Sequence, residues 1–176
     1  MNIDVLSKWL SAGASIFVII GVLAAIVGVL VATKTLKQTQ RAASATLVLK
    51  LRDTLVEDRY TKITNEIQDN NSTHALMKDR GGKFKDTDIE QYIGNFEDIG
   101  YLVQEHVIDP EMAYNHFSYD VEKAWCNADV QRVVQNARKA DKSITAASDP
   151  IYGKFETLAK SYLLRERQSC KDLENQ

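Results

Sequence analysis

Thr87–Val103, TDIEQYIGNFEDIGYLV, is the stretch that decides the fold. Ile89, Tyr92, Ile93, Phe96, Ile99, Gly100 and Val103 recur at the spacing that lays one apolar stripe along an α-helix. Glu90, Gln91, Asn95, Glu97, Asp98 and Gln104 fall on the opposite face. Thr87-Asp88-Ile89-Glu90 has the form of a capping box, in which the Thr87 hydroxyl accepts from the Glu90 amide and the Glu90 carboxylate reaches back. Gly100 sits inside the stripe, where a missing side chain lets another helix cross closely. A helix patterned in this way needs partners over one face, and the chain supplies them on both sides.

Downstream, Asp109-Pro110 and Asp149-Pro150 each read as a cap followed by proline in the first helical turn, where its missing N–H costs nothing. Ala113 and Phe117 point inward, and Ser118 is a place for the helix to restart. Val121, Ala124 and Trp125, then Val130, Val133, Val134 and Ala137, continue the inner faces. Lys139–Ser148 loses periodicity and reads as a loop. Tyr152, Phe155, Leu158, Ala159, Tyr162 and Leu163 give a last amphipathic helix before a charged tail from Arg165. Upstream, no Gly or Pro occurs between Gly28 and Gly81, and Leu36, Ala43, Leu47, Leu51, Leu55, Ile63 and Ile67 recur mostly at steps of four. An unbroken helix is therefore expected from Thr33 to about Gln68. No sustained alternation predicts a sheet.

Trp9–Thr33, WLSAGASIFVIIGVLAAIVGVLVAT, is uncharged. As a helix it would be about 37 Å long, against about 30 Å for a hydrocarbon core. The predicted fold class is all-α, with one transmembrane helix continuing into a long helix packed with a cytoplasmic multi-helix bundle. Its parts are an N-terminal segment and span over 1–33, a juxtamembrane helix over 34–68, a linker over 69–87, and a bundle over 88–176 that completes one domain with 34–68. Ala14, Gly21, Ala25, Gly28 and Ala32 form a small-residue face suited to helix association in a membrane. Lys34, Lys37 and Arg41 make a basic collar facing lipid. Positive charge on that side predicts a single-pass bacterial inner-membrane protein, N-terminus outside and C-terminal domain cytoplasmic.

The charge is divided. Residues 34–52 hold five basic and no acidic residues, whereas 53–176 hold 16 basic and 23 acidic. An acidic body argues against nucleic acid as a partner. Cys126 and Cys170 lie too far apart for a zinc pattern or a disulfide framework and read as reduced cytosolic thiols, Cys126 buried. His106 and His116 flank a turn with Glu105, Asp109 and Glu111, but no Glu-x-x-His occurs, so no metal site is assigned. Glu97 and Asp98 are adjacent and project about 100° apart on a helix, which makes them poor acid/base partners. No nucleophile context surrounds any Ser or Cys. Catalytic residues, cofactor-binding residues and cofactors are therefore predicted to be none, and the chain is read as not an enzyme.

Gln40-Arg41-Ala42 with Thr46-Leu47-Val48-Leu49, the run Asn95–Val103, Ile108-Asp109 and an aromatic such as Phe117 carry a resemblance covering roughly Thr33 to Tyr162. The chain resembles a bacterial domain-of-unknown-function family of single-span membrane proteins. The resemblance implies an inner-membrane setting and a helical cytoplasmic domain, and offers no catalytic residues. The expected function is a membrane-anchored, non-enzymatic interaction or regulatory module. Its expected partners are the lipid bilayer, further copies of itself as a homo-oligomer, and an unidentified protein that meets Glu97, Glu105, Asp109 and Glu111 or the outer side of Leu47–Leu55. The alternative is an oligomeric membrane-acting effector, a pore or membrane-perturbing subunit of a stress or phage-defence system.

Overall fold

The computed structural model describes residue 29 and residues 31–69, 75–141 and 150–174. The chain divides into two compact units, Met1–Ala43 and Ser44–Gln176. In the first, residues 31–43 are helical and exposed. The Thr35 and Thr39 hydroxyls donate back to the carbonyls of Val31 and Thr35. Lys34, Lys37, Arg41 and Ala32 are exposed on this helix, while Ala14, Gly21, Ala25 and Gly28 lie outside the described residues.

The expectation of a membrane-spanning helix is corrected here. Among the described residues, no helix is long and apolar enough to cross a membrane. The helical residues 31–55 carry Lys34, Lys37, Arg41, Lys50, Arg52 and Asp53, too much charge for hydrocarbon. The transmembrane part of the predicted fold, the single-pass description and the inner-membrane placement with a cytoplasmic C-terminal domain are not supported. Most of Trp9–Thr33 lies outside the described residues.

The second unit is all-α among its described residues. It opens with helical residues 44–55, here α1. Then come α2 (Asp58–Asp69), a 3₁₀ turn (Lys78–Arg80), α3 (Asp86–Gln104), α4 (Pro110–Cys126), α5 (Ala128–Ala140), α6 (Gly153–Glu166) and α7 (Cys170–Glu174). An isolated bridge joins Met77 to Phe84 across the 3₁₀ turn.

The helix expected to be unbroken stops at Val56-Glu57. Leu55 and Tyr60 are both buried. Five residues apart on one helix they would point about 140° apart, so a break is needed to turn both inward. The Thr61 hydroxyl donates to the Val56 carbonyl that the break leaves over, at 3.0 Å. Asp109 and Asn127 cap α4 and α5, each accepting from two backbone amides. Ser118 restarts nothing, because α4 is continuous. At α3 the box is displaced: Asp88, not Glu90, reaches back, accepting from the Lys85 amide at 2.8 Å. Neither does α6 start at Pro150; it starts at Gly153, after Tyr152.

α6 packs most extensively on α3 and α4. A chain of rings runs through the core from Tyr60 to Tyr92, Phe96, Phe155 and Trp125, with successive centroids 6.1, 5.0, 5.5 and 5.4 Å apart. Burying each large side chain of this kind contributes about 1.5–3 kcal/mol. Where α3 meets α6, a Cβ on Gly100 would stand 2.6 Å from the Lys154 carbonyl oxygen, so glycine sets the crossing distance. Cys126 and Cys170 are bonded to each other, with Cα atoms 5.1 Å apart. This corrects the reading of both as reduced thiols: 44 residues separate them in sequence, but the fold lays α7 against the end of α4.

Candidate functional site

The outer face of α3 does not bury itself. Around Gly94, a cleft of about 490 Å³ opens, lined by Arg59 and Tyr60 of α2, Gln91, Asn95, Glu97 and Asp98 of α3, and Tyr152 before α6. A second hollow of about 220 Å³ shares Arg59, Tyr60 and Gln91 and reaches Asp58, Lys62, Ile63, Phe84 and Asp88. Arg59 stands between them. Its guanidinium lies 4.2 Å from the centre of the Tyr60 ring, and it donates to Gln91 Oε1 at 3.1 Å. Its Nε pairs with Glu57 at 3.3 Å.

Gly94 forms the floor. An added Cβ there would meet nothing within 4 Å. Mid-helix glycine costs about 0.5–1 kcal/mol against alanine, and no neighbour requires it.

The cleft wall is built by long-range capping. Glu97 accepts from the amides of Lys154 at 3.2 Å and Phe155 at 2.7 Å. These are orphan N–H groups at the start of α6, where a carboxylate is favoured by both hydrogen bonding and the helix dipole. Tyr152 precedes them with φ +58°, in the left-handed region. For a non-glycine residue that conformation costs of order 1–3 kcal/mol and persists only when surrounding structure enforces it. Arg138 of α5 does so. It donates to the Ile151 carbonyl at 2.8 Å, the Tyr152 carbonyl at 3.5 Å and Glu156 Oε2 at 2.8 Å. Burial pushes the Tyr152 hydroxyl above its ordinary value, and the charges of Glu90 and Glu97 add to this. Glu97 and Asp98 make the cleft acidic along its α3 wall. Asp98 is exposed there, while Arg59 is already engaged.

The four acidic residues expected to form a partner surface are distributed among separate tasks. Glu97 caps α6, and Asp109 caps α4. Glu105 is exposed at the end of α3. Glu111 takes a bidentate pair with Arg165 at 2.7 and 2.9 Å, which holds its carboxyl below the ordinary range. Only Glu97 lines the cleft. On the outer side of α1, Leu49 is exposed, while Leu47 and Leu51 pack against the core. His106 follows the end of α3 with φ +55°, and His116 lies 3.5 Å from Arg52. Among the described residues, no three His, Cys, Asp or Glu side chains are grouped to hold a metal ion.

A second buried polar joint escaped the sequence reading. The Asp129 carboxylate accepts from the amides of Leu76 and Met77 at 2.7 and 3.3 Å, from Arg80 at 2.5 Å and from Arg132 at 3.0 Å. It pins the Lys78–Arg80 turn to α5. Its only sequence signal is an acidic residue near a helix start, which occurs at most helices. Arg59, Gly94 and Arg138 carried no such signal, and Tyr152, expected on the apolar face of the last helix, instead precedes α6 and lines the cleft.

The chain belongs to the DUF4760 family, a domain of unknown function, whose pattern matches residues 15–162. An uncharacterised domain family is what the resemblance implied; the membrane character that came with it is not supported. No curated protein and no solved structure matches the chain.

Proposed function

We propose that this chain is a non-enzymatic interaction module that takes a cationic segment of a partner protein into the cleft over Gly94. The observation that carries the reading is Gly94 itself. It weakens α3 and relieves no clash, so what it provides is open space. Arg59 takes Gln91 Oε1 and Asn95 Nδ2 donates back into α3, which leaves Gln91 Nε2 and Asn95 Oδ1 as a donor and an acceptor for the backbone of an extended segment, and Asp98 suits a Lys or Arg side chain on it. Arg59 stacked on Tyr60 gives one wall a fixed shape.

The test is titration of the full chain with short Lys- and Arg-containing peptides, and with Glu-containing peptides of equal length, followed by calorimetry. Binding of the cationic set, weakened about tenfold or more by Asp98→Lys and by Gly94→Leu, is expected. Thermal melts of both variants establish that they remain folded. Absence of binding by every cationic peptide, or equal binding by folded Gly94→Leu, sinks the reading.

A further inference from the structure

We infer that the Cys126–Cys170 bond is a redox-operated latch, whose reduction by a dithiol releases α7 from α4 while the rest of the helical body stays folded. α7 has five residues, too few to be helical by itself. Within the segment, Asp172 Oδ2 accepts from both the amide and the hydroxyl of Ser169 at 2.7 Å. Its attachments to α4 include the disulfide, and Lys123 Nζ donating to the Leu173 carbonyl at 2.6 Å. Leu173 is the apolar anchor, 4% exposed.

What lies beside this anchor opposes docking. Glu122 stands one helical turn before Cys126 and shares its face of α4. It is 4% exposed, and its Oε1 has no hydrogen-bond partner. Unpaired buried polar atoms forfeit the hydrogen bonds that water would give them. A five-residue helix with one apolar anchor is thus set beside a dehydrated carboxylate, and the covalent bond decides the balance.

The chemistry is thiol–disulfide exchange. A thiolate of the dithiol attacks one sulfur of the pair, forming a mixed disulfide and expelling the other as a thiolate that takes a proton. The second thiol of the reagent then closes its own disulfide and releases the second cysteine as a thiol. Two electrons pass from the dithiol to the protein, and reoxidation reverses the sequence.

The experiment is hydrogen exchange by mass spectrometry on the full chain, oxidised in air and then reduced with dithiothreitol, with thiol alkylation counted in each state. Exchange over residues 168–173 should rise at least tenfold on reduction, while α3 and α6 keep their protection. The double variant Cys126→Ser/Cys170→Ser should match the reduced state without reductant. Leu173→Ala with the bond intact should leave exchange there within about threefold of the oxidised chain. Three results would each overturn the latch: two alkylatable thiols in the air-oxidised chain, unchanged exchange over 168–173 after reduction, or loss of protection throughout the body.

Discussion

Two glycines six residues apart on α3 face opposite environments. Gly100 is buried where α3 crosses α6, and a Cβ there would strike the Lys154 carbonyl. Gly94 lies on the cleft floor, where a Cβ would meet nothing. The same residue type serves a tight contact in one place and an empty space in the other. Helix propensity charges both positions alike. Packing returns the cost at Gly100 by allowing close approach, and nothing within the fold returns it at Gly94. An expense without structural return is what directs attention to the cleft.

The contrast can be broken most severely at the crossing. Gly100→Ala should destabilise the protein by about 3 kcal/mol, because backbone rather than a flexible side chain must move. Urea unfolding measures this, and a loss below about 1 kcal/mol would mean that α6 shifts freely. Glu97 joins the two regions, since its carboxylate serves the crossing while its flank lines the cleft. Glu97→Ala leaves two α6 amides without their acceptor and should cost about 2 kcal/mol. The same unfolding curves report it, and Glu97→Gln should recover part of the loss.

A smaller effect comes from pH. The hydrogen bond from Lys160, followed by Arg138, holds the Glu156 carboxyl below its ordinary value of 4.5. A depressed carboxyl contributes stability above that ordinary value, and the contribution is lost as pH falls through the folded value. Between about pH 6 and about pH 3, wild type should therefore lose more stability than Glu156→Gln. Glu122 has the opposite sign. Burial raises its carboxyl, so it weakens the fold as pH rises above the ordinary carboxyl value, and Glu122→Gln should be relatively more stable at neutral pH. Parallel pH–stability curves for Glu156→Gln and wild type would refute the first expectation. The mildest change is Gly94→Ala, which should stabilise by about 0.5–1 kcal/mol. A destabilised Gly94→Ala would show that the floor is packed after all and erase the contrast between the two glycines.

Much of the helical pattern was legible beforehand. Most apolar residues at helical spacing in α3, α5 and α6 are buried, and Asp109 lies at the start of α4, as its pairing with Pro110 predicts, because a short polar side chain satisfies nearby amides. These are local effects, and local effects can be read along a chain. The candidate site was legible only at Glu97, and there for a different reason from its actual contacts. The cleft needs α2, α3 and the turn before α6 to meet, and their lining residues are separated by up to 93 positions between Arg59 and Tyr152.

From the sequence alone, then, an all-α body, the inward faces of most of its helices and the cap of α4 could be read, since backbone periodicity and capping act over one turn. Only the tertiary structure decided the break at Val56-Glu57, the left-handed Tyr152 held by Arg138, the Asp129 joint and the Cys126–Cys170 bond. Each of these depends on a partner distant in sequence, and so does the meaning of a glycine. What surrounds the missing side chain decides whether it is a contact or an opening.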